Sequence, residues 1–157
     1  MMLVRRAATA ADAALIAGHR AAMFASMAST ASADLETMRR SCEPWIARMM
    51  AEGRYLGWII AEGLQPVASA GLFILDWPPH PLDPAGEKRG YLLNVYVEPE
   101  YRKRGLAHDL VEICVAEARQ RAIRVVTLHA SDAGRPIYEE MGFRASSEMI
   151  YVTPEEG

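Results

Sequence analysis

The run Tyr91-Leu92-Leu93-Asn94-Val95-Tyr96-Val97 is β-branched and aromatic, and it is closed by Gly90 on one side and Glu98-Pro99-Glu100 on the other. Just beyond it, Leu106, Leu110, Ile113, Cys114 and Ala118 recur at helical spacing. A buried strand that turns within a few residues into an amphipathic helix commits the chain to a layered α/β fold. The connection between them is Arg102-Lys103-Arg104-Gly105-Leu106-Ala107. A helix start leaves its first N–H groups without intrahelical partners and carries roughly half a positive charge, so it stabilises an oxyanion. Gly105 and Ala107 keep bulk away from that point. Three adjacent cations oppose the helix dipole, so they cost the unliganded helix some stability while attracting phosphate. A local conflict of this kind points to function. The plainer alternative is a basic surface turn.

At 157 residues, 51% hydrophobic and 24% charged, the chain reads as a single domain spanning 1–157 with room for a proper core. Its net charge of −3 gives no general attraction to nucleic acid or an anionic membrane, so the basic run should serve a small anion. Cys42 and Cys114 are the only cysteines. Cys114 lies on the apolar stripe of the helix, where a reduced thiol behaves as a small hydrophobe, which suggests a reducing, cytoplasmic location. No Cys or His spacing argues for a metal site. The start, Met1 to Arg6, lacks a signal-peptide core, and no apolar stretch reaches spanning length.

Along the chain, Leu3 to Arg6 reads as a short strand. Thr9 and Asp12 are cap candidates for an alanine-rich helix running toward Met27, and Ser26 to Ala33 reads as a loop. Asp34 can cap a second helix holding Leu35, Met38, Trp45, Ile46 and Met49, with Pro44 expected to break or kink it. Tyr55 to Ala61 and Val67 to Leu75 form a hairpin around Glu62-Gly63-Leu64-Gln65-Pro66. The proline-rich stretch Asp76 to Arg89 is an exposed loop. Val125 to His129 is a short strand. Ser131 or Asp132 can cap a helix reaching Met141, with Pro136 in its first turn and Gly142 as its stop. Phe143 to Val152 reads as a last strand. The order is β-α-α-β-β-β-α-β-α-β, a mixed six-stranded α/β sheet flanked by helices.

These features together resemble the GNAT superfamily of acyl-CoA-dependent N-acetyltransferases. Arg102-x-x-Gly105-x-Ala107 matches the family's Gln/Arg-x-x-Gly-x-Gly/Ala signature for the coenzyme A pyrophosphate. Val95-Tyr96-Val97-Glu98-Pro99 resembles the strand that pairs with the pantetheine arm. Gly134 to Phe143 looks like the family's penultimate helix, with Tyr138 four residues before Gly142-Phe143. The resemblance implies that acetyl-CoA is bound by Val95, Tyr96, Val97, Arg102, Lys103, Arg104, Gly105, Leu106, Ala107, Ser131 and Tyr138. Ser131 stands where many relatives carry an asparagine that positions the coenzyme.

Acyl transfer to an amine needs an oxyanion donor, a base for the amine and an acid for the leaving thiolate. If Val95 to Val97 splay from the next strand, as the resemblance implies, a backbone N–H can face the thioester oxygen. Tyr138 is the candidate acid, since a phenol with a pKa of ~10 is loaded at neutral pH and can reprotonate a thiolate. His129 and Glu98 are candidate bases, each with an ordinary polar role as its alternative. Asn94 and Tyr96 share one face of a period-two strand, so Asn94 could orient the acceptor. Asp76, His80 and Asp83 could bind a cationic amine, or simply be loop polarity. Met23, Phe24, Met27, Trp45 and Met49 could line an apolar acceptor pocket, although helices ordinarily bury such stripes in a core. The partner expected is a small-molecule or peptide amine, with no nucleic acid, no membrane and a possible homodimer. A non-catalytic acyl-CoA sensor, transfer of a longer acyl chain and acylation of a protein N-terminus are the other readings.

Overall fold

The β-rich middle of the chain builds a sheet whose two faces are covered by helices of different origin. The computed structural model describes residues 2–27 and 31–156. Strands β1 (Leu3–Ala7), β2 (Tyr55–Glu62), β3 (Gln65–Asp76), β4 (Lys88–Val97) and β5 (Val126–Thr127) lie in the order β1-β2-β3-β4-β5. The first three pairings are antiparallel and β4–β5 is parallel. Helices α1 (Ala13–Ser26) and α2 (Ser32–Ala51) cover one face, α3 (Leu106–Gln120) covers the other, and α4 (Arg135–Glu140) follows β5.

Under α3, Leu72, Leu92, Leu110, Val111 and Cys114 are buried with Ile60. The opposite face buries Ile16, Ile46, Met49 and Tyr55, with Phe73, Leu93 and Trp45 packed beside them. Trp45 and Met49 therefore belong to the core, as helix amphipathicity favours. Met27 is exposed.

Four expectations are corrected. Pro44 does not break α2, which runs continuously from Ser32 to Ala51. A proline removes one backbone donor, but Ile46 and Met49 beyond it are buried and hold the last turns against the sheet. The helix also begins at Ser32, inside the expected loop Ser26 to Ala33, of which residues 28–30 lie outside the described residues. The α4 cap moves to Gly134, while Ser131 Oγ accepts the Gly134 N–H at 3.1 Å and so ties down the turn before the helix.

Among the described residues the sheet has five strands rather than six, because Phe143 to Val152 forms none. An extended segment becomes a strand only against a partner edge, and Met149, Ile150, Tyr151 and Val152 project into solvent instead. Among the described residues, no helix is long and apolar enough to cross a membrane.

Strand β4 carries the irregularity that shapes the site. Leu93 faces Gly71 and Tyr96 faces Ser69, so three steps along β4 match two along β3. The extra residue makes a bulge at Asn94, whose φ of 58° lies in the left-handed region that asparagine tolerates better than most residues. Regular alternation would put Asn94 beside Leu92 under α3. The bulge turns it to the α1–α2 face, where its Nδ2 donates to Tyr55 Oη at 3.0 Å.

Candidate active site

Strand β4 pairs with β5 only at Gly90–Val126 and Tyr91–Thr127. From Leu92 to Val97 its β5 side has no strand partner among the described residues. Glu98 N–H donates back to Val67 O on β3 at 2.8 Å. By the two-residue alternation of an antiparallel ladder, Tyr96 then addresses β3, while Val95 and Val97 turn their backbone groups to the open side. An unpaired, partly buried peptide edge wants a hydrogen-bonding guest. One of its groups, Val97 O, already accepts Arg102 Nε at 3.0 Å.

The open edge leads to the basic turn. Lys103 has φ 64° and Gly105 has φ 80°, and Gly105 is the N-cap of α3. Left-handed backbone just before a helix start is a setting in which successive N–H groups can form an anion-binding nest. A Cβ at Gly105 would meet no other protein atom within 4 Å, so the space beside the helix start is open. Leu106 is buried and anchors that start, while Ala107 is half-buried. Arg102 folds back on the strand, its guanidinium 5.8 Å from the Tyr96 ring. Arg104 donates to Glu100 O at 3.2 Å and stacks over Tyr101 at 5.0 Å. These two arginines brace the turn as well as charging it, and Lys103 is exposed.

Tyr138 on α4 packs against the same core cluster as Val95, edge-on to Phe143 with ring centroids 5.8 Å apart. Burial, with a smaller contribution from Cys114, pushes its phenol above the ordinary value. His129 is exposed at the end of β5, its Nδ1 in contact with Tyr91 Oη. In the tautomer where Nδ1 donates to Tyr91, Nε2 keeps a free lone pair. Ser131 is half-buried at the foot of α4.

Asn94 is only 2% exposed, and its amide is engaged at both ends: besides Tyr55, its Oδ1 accepts Arg20 at 2.8 Å. It therefore holds Arg20, which also lies over the Phe24 ring at 4.9 Å. Gly71 permits this arrangement, since a Cβ there would collide with the Tyr55 hydroxyl. The expected loop Asp76 to Arg89 is shorter at both ends: Asp76 closes β3 and pairs with Lys88 at the start of β4, while on the loop between them His80 accepts the Leu82 N–H, so both are locally satisfied.

A second buried cluster lies beside Glu98. His19 is 5% exposed, with Nδ1 2.7 Å from Ser69 Oγ and Nε2 3.7 Å from Glu98 Oε1, and its ring is 4.9 Å from that of Tyr96. Burial lowers the His19 pKa and the Glu98 charge partly restores it. The unfolded chain takes up this proton near pH ~6.5, whereas the folded chain resists it. The associated stability is therefore present above that pH and declines as pH falls below it. His19→Gln should flatten the decline, as read by urea midpoints between pH 7 and pH 5; an unchanged slope would assign the acid sensitivity elsewhere.

Sequence reasoning missed Arg20, His19 and Ser69. Each is separated from its partner by 50 residues or more, and no local spacing announces them.

The geometry now has a family. An acetyltransferase (GNAT) domain model matches residues 28–153. The chain belongs to the GNAT family of N-acetyltransferases. This GNAT domain superposes with a TM-score of 0.92 on a GCN5-related N-acetyltransferase from Ralstonia eutropha JMP134, at 36% identity over 97% of this chain and 99% of that chain. A predicted acetyltransferase from Clostridium acetobutylicum, solved with acetyl-CoA, is 27% identical with a TM-score of 0.88 over 97% and 96% of the two chains. A glucosamine 6-phosphate N-acetyltransferase of Trypanosoma brucei brucei is 35% identical over 65 residues, which span 41% of this chain and 44% of that enzyme.

Proposed function

We propose that the chain transfers the acetyl group of acetyl-CoA to a primary amine by direct attack on the thioester. The observation that carries this reading is the open β4 edge, Leu92 to Val97, running into the glycine-capped start of α3. Peptide groups on that edge suit the amides of a pantetheine arm, and the turn 102–107 suits its pyrophosphate. Acetyl-CoA supplies an activated acyl carbon and a thiolate leaving group.

The Val95 N–H stabilises the oxyanion that develops as the amine nitrogen bonds the acyl carbon. His129 Nε2 takes the proton lost by the amine, directly or through water, and Glu98 is the second candidate on the same strand–turn segment. As the C–S bond breaks, Tyr138 gives its phenolic proton to the sulfur and recovers one from solvent. A phenol remains loaded at neutral pH, and the transfer from pKa ~10 to a thiol of ~8.5 costs about 2 kcal/mol, with burial adding somewhat more.

Arg20, held by Asn94 beside Phe24, supports an acceptor that carries an anionic or hydroxyl group next to its amine. The Trypanosoma relative makes glucosamine 6-phosphate a sensible member of an acceptor panel beside glucosamine itself. With the acceptor so found, His129→Ala should lower kcat/KM by about 10²-fold. An unchanged kcat/KM would move the base to Glu98.

A further inference from the structure

Arg20 is a half-buried cation on α1 whose charge is left uncompensated. Arg5, Arg6, Arg39 and Arg121 each pair with a carboxylate, whereas among the described residues Arg20 pairs with none. Its Nη1 donates instead to a neutral acceptor, Asn94 Oδ1, at 2.8 Å. The guanidinium is nonetheless held in place. Phe24, one turn along α1, lies under it at 4.9 Å, and Asn94 is itself fixed by its bond to Tyr55 Oη. An aspartate at residue 94 would hold the guanidinium and neutralise it. The asparagine holds it and leaves the charge available. With Nη1 engaged, Nε and Nη2 have no hydrogen-bond partner among the described residues. They form a two-donor edge, the geometry that matches two oxygens of a carboxylate or phosphate.

This charge stands beside the transfer chemistry. Burial raises the pKa of the Cys42 thiol and, together with the Glu148 charge, that of the Tyr91 phenol, and Arg20 opposes both shifts. Its field therefore reaches from α2 to Tyr91, whose Oη touches His129 Nδ1. Asn94 serves both ends of the site: its bulge turns the Val95 N–H to the open edge of β4, and its side chain aims Arg20. We propose that Arg20 selects the acceptor, an amine that also carries an oxyanion, carboxylate or phosphate, which seats on the Nε–Nη2 edge while the amine faces His129. The assignment rests on the transfer reading above and narrows its acceptor to one charge class.

Paired acceptors test it: α-amino acids against their carboxamides for a carboxylate, and glucosamine 6-phosphate against glucosamine for a phosphate. The native chain is expected to favour the anionic member of one series by about 10–10²-fold in kcat/KM, with the difference carried by the acceptor KM. Arg20→Gln should erase this preference while the KM for acetyl-CoA stays within a few fold, and Arg20→Lys should restore part of it. A preference in neither series, or an equal loss for both members of a pair in Arg20→Gln, would overturn the proposal. Should no amine be acetylated, the transfer reading fails instead, and the NMR signal of the Arg20 Nε–H, assigned by its disappearance in Arg20→Gln, decides. A saturable shift of that signal with sodium acetate or inorganic phosphate would uphold the oxyanion seat, and a signal that does not move would overturn it.

Discussion

Replacing Tyr138 with Phe is expected to lower kcat by about 10²–10⁴-fold while leaving the KM for acetyl-CoA within a few fold. The two parameters should separate because the phenyl ring keeps its contact with Phe143 and its place in the core, whereas the hydroxyl is the only group lost. Among the described residues no hydrogen bond to the Tyr138 hydroxyl is present for the substitution to break, and the phenol is held in place by burial. A purely structural Tyr138 would show the reverse pattern, with turnover kept and thermal stability moved slightly. Steady-state assays that follow free thiol at saturating acceptor measure the effect. Unchanged turnover would end the acid assignment.

Asn94→Leu should be the most damaging single change on the α1–α2 face. It removes the partner of Arg20 and of the Tyr55 hydroxyl together, and a buried polar group left unpaired costs about 1–3 kcal/mol. It also places a branched side chain at φ 58°, where leucine fits worse than asparagine. The unfolding midpoint should drop by several degrees, since each kcal/mol moves a domain of this size by about 2–4 °C. Catalysis should suffer independently of stability, because a straightened β4 would return Val95 to pairing with β3 and take its N–H from the open edge. Asn94→Asp, which keeps the left-handed tolerance and an acceptor for Arg20, should lose less of both. Equal loss in the two variants would mean that the bulge does not depend on this network.

Much of this was legible because strand, turn and helix each leave a local signature. The alternating run before Glu98-Pro99, the glycine at residue 105 and the stripe Leu106-Leu110-Cys114-Ala118 describe a cradle without any tertiary information. Features that depend on a partner far along the chain were not legible. The bulge at Asn94 exists because Tyr55 and Arg20 hold it, from 39 and 74 residues away, and a period-two reading of β4 has no means of counting the extra residue. Pro44 looks like a helix breaker locally, yet Ile46 and Met49 bury beyond it. Phe143 to Val152 has the composition of a strand, but composition does not supply the edge that a strand must pair with.

The proposed acyl-coenzyme site along the open edge of β4 and the start of α3 is tested most directly by calorimetric titration with acetyl-CoA. Saturable binding of one acetyl-CoA per chain is expected, with comparable binding of free coenzyme A and little binding of ATP, which lacks the pantetheine arm. At 100 times its dissociation constant, the ligand should also add roughly 2.7 kcal/mol of stability. Gly105→Asp, which sets a carboxylate in the open space beside the helix start, should abolish the heat of binding without unfolding the chain. No binding at millimolar acetyl-CoA by the folded native chain would rule out an acyl-coenzyme site here and return residues 102–107 to a basic surface turn.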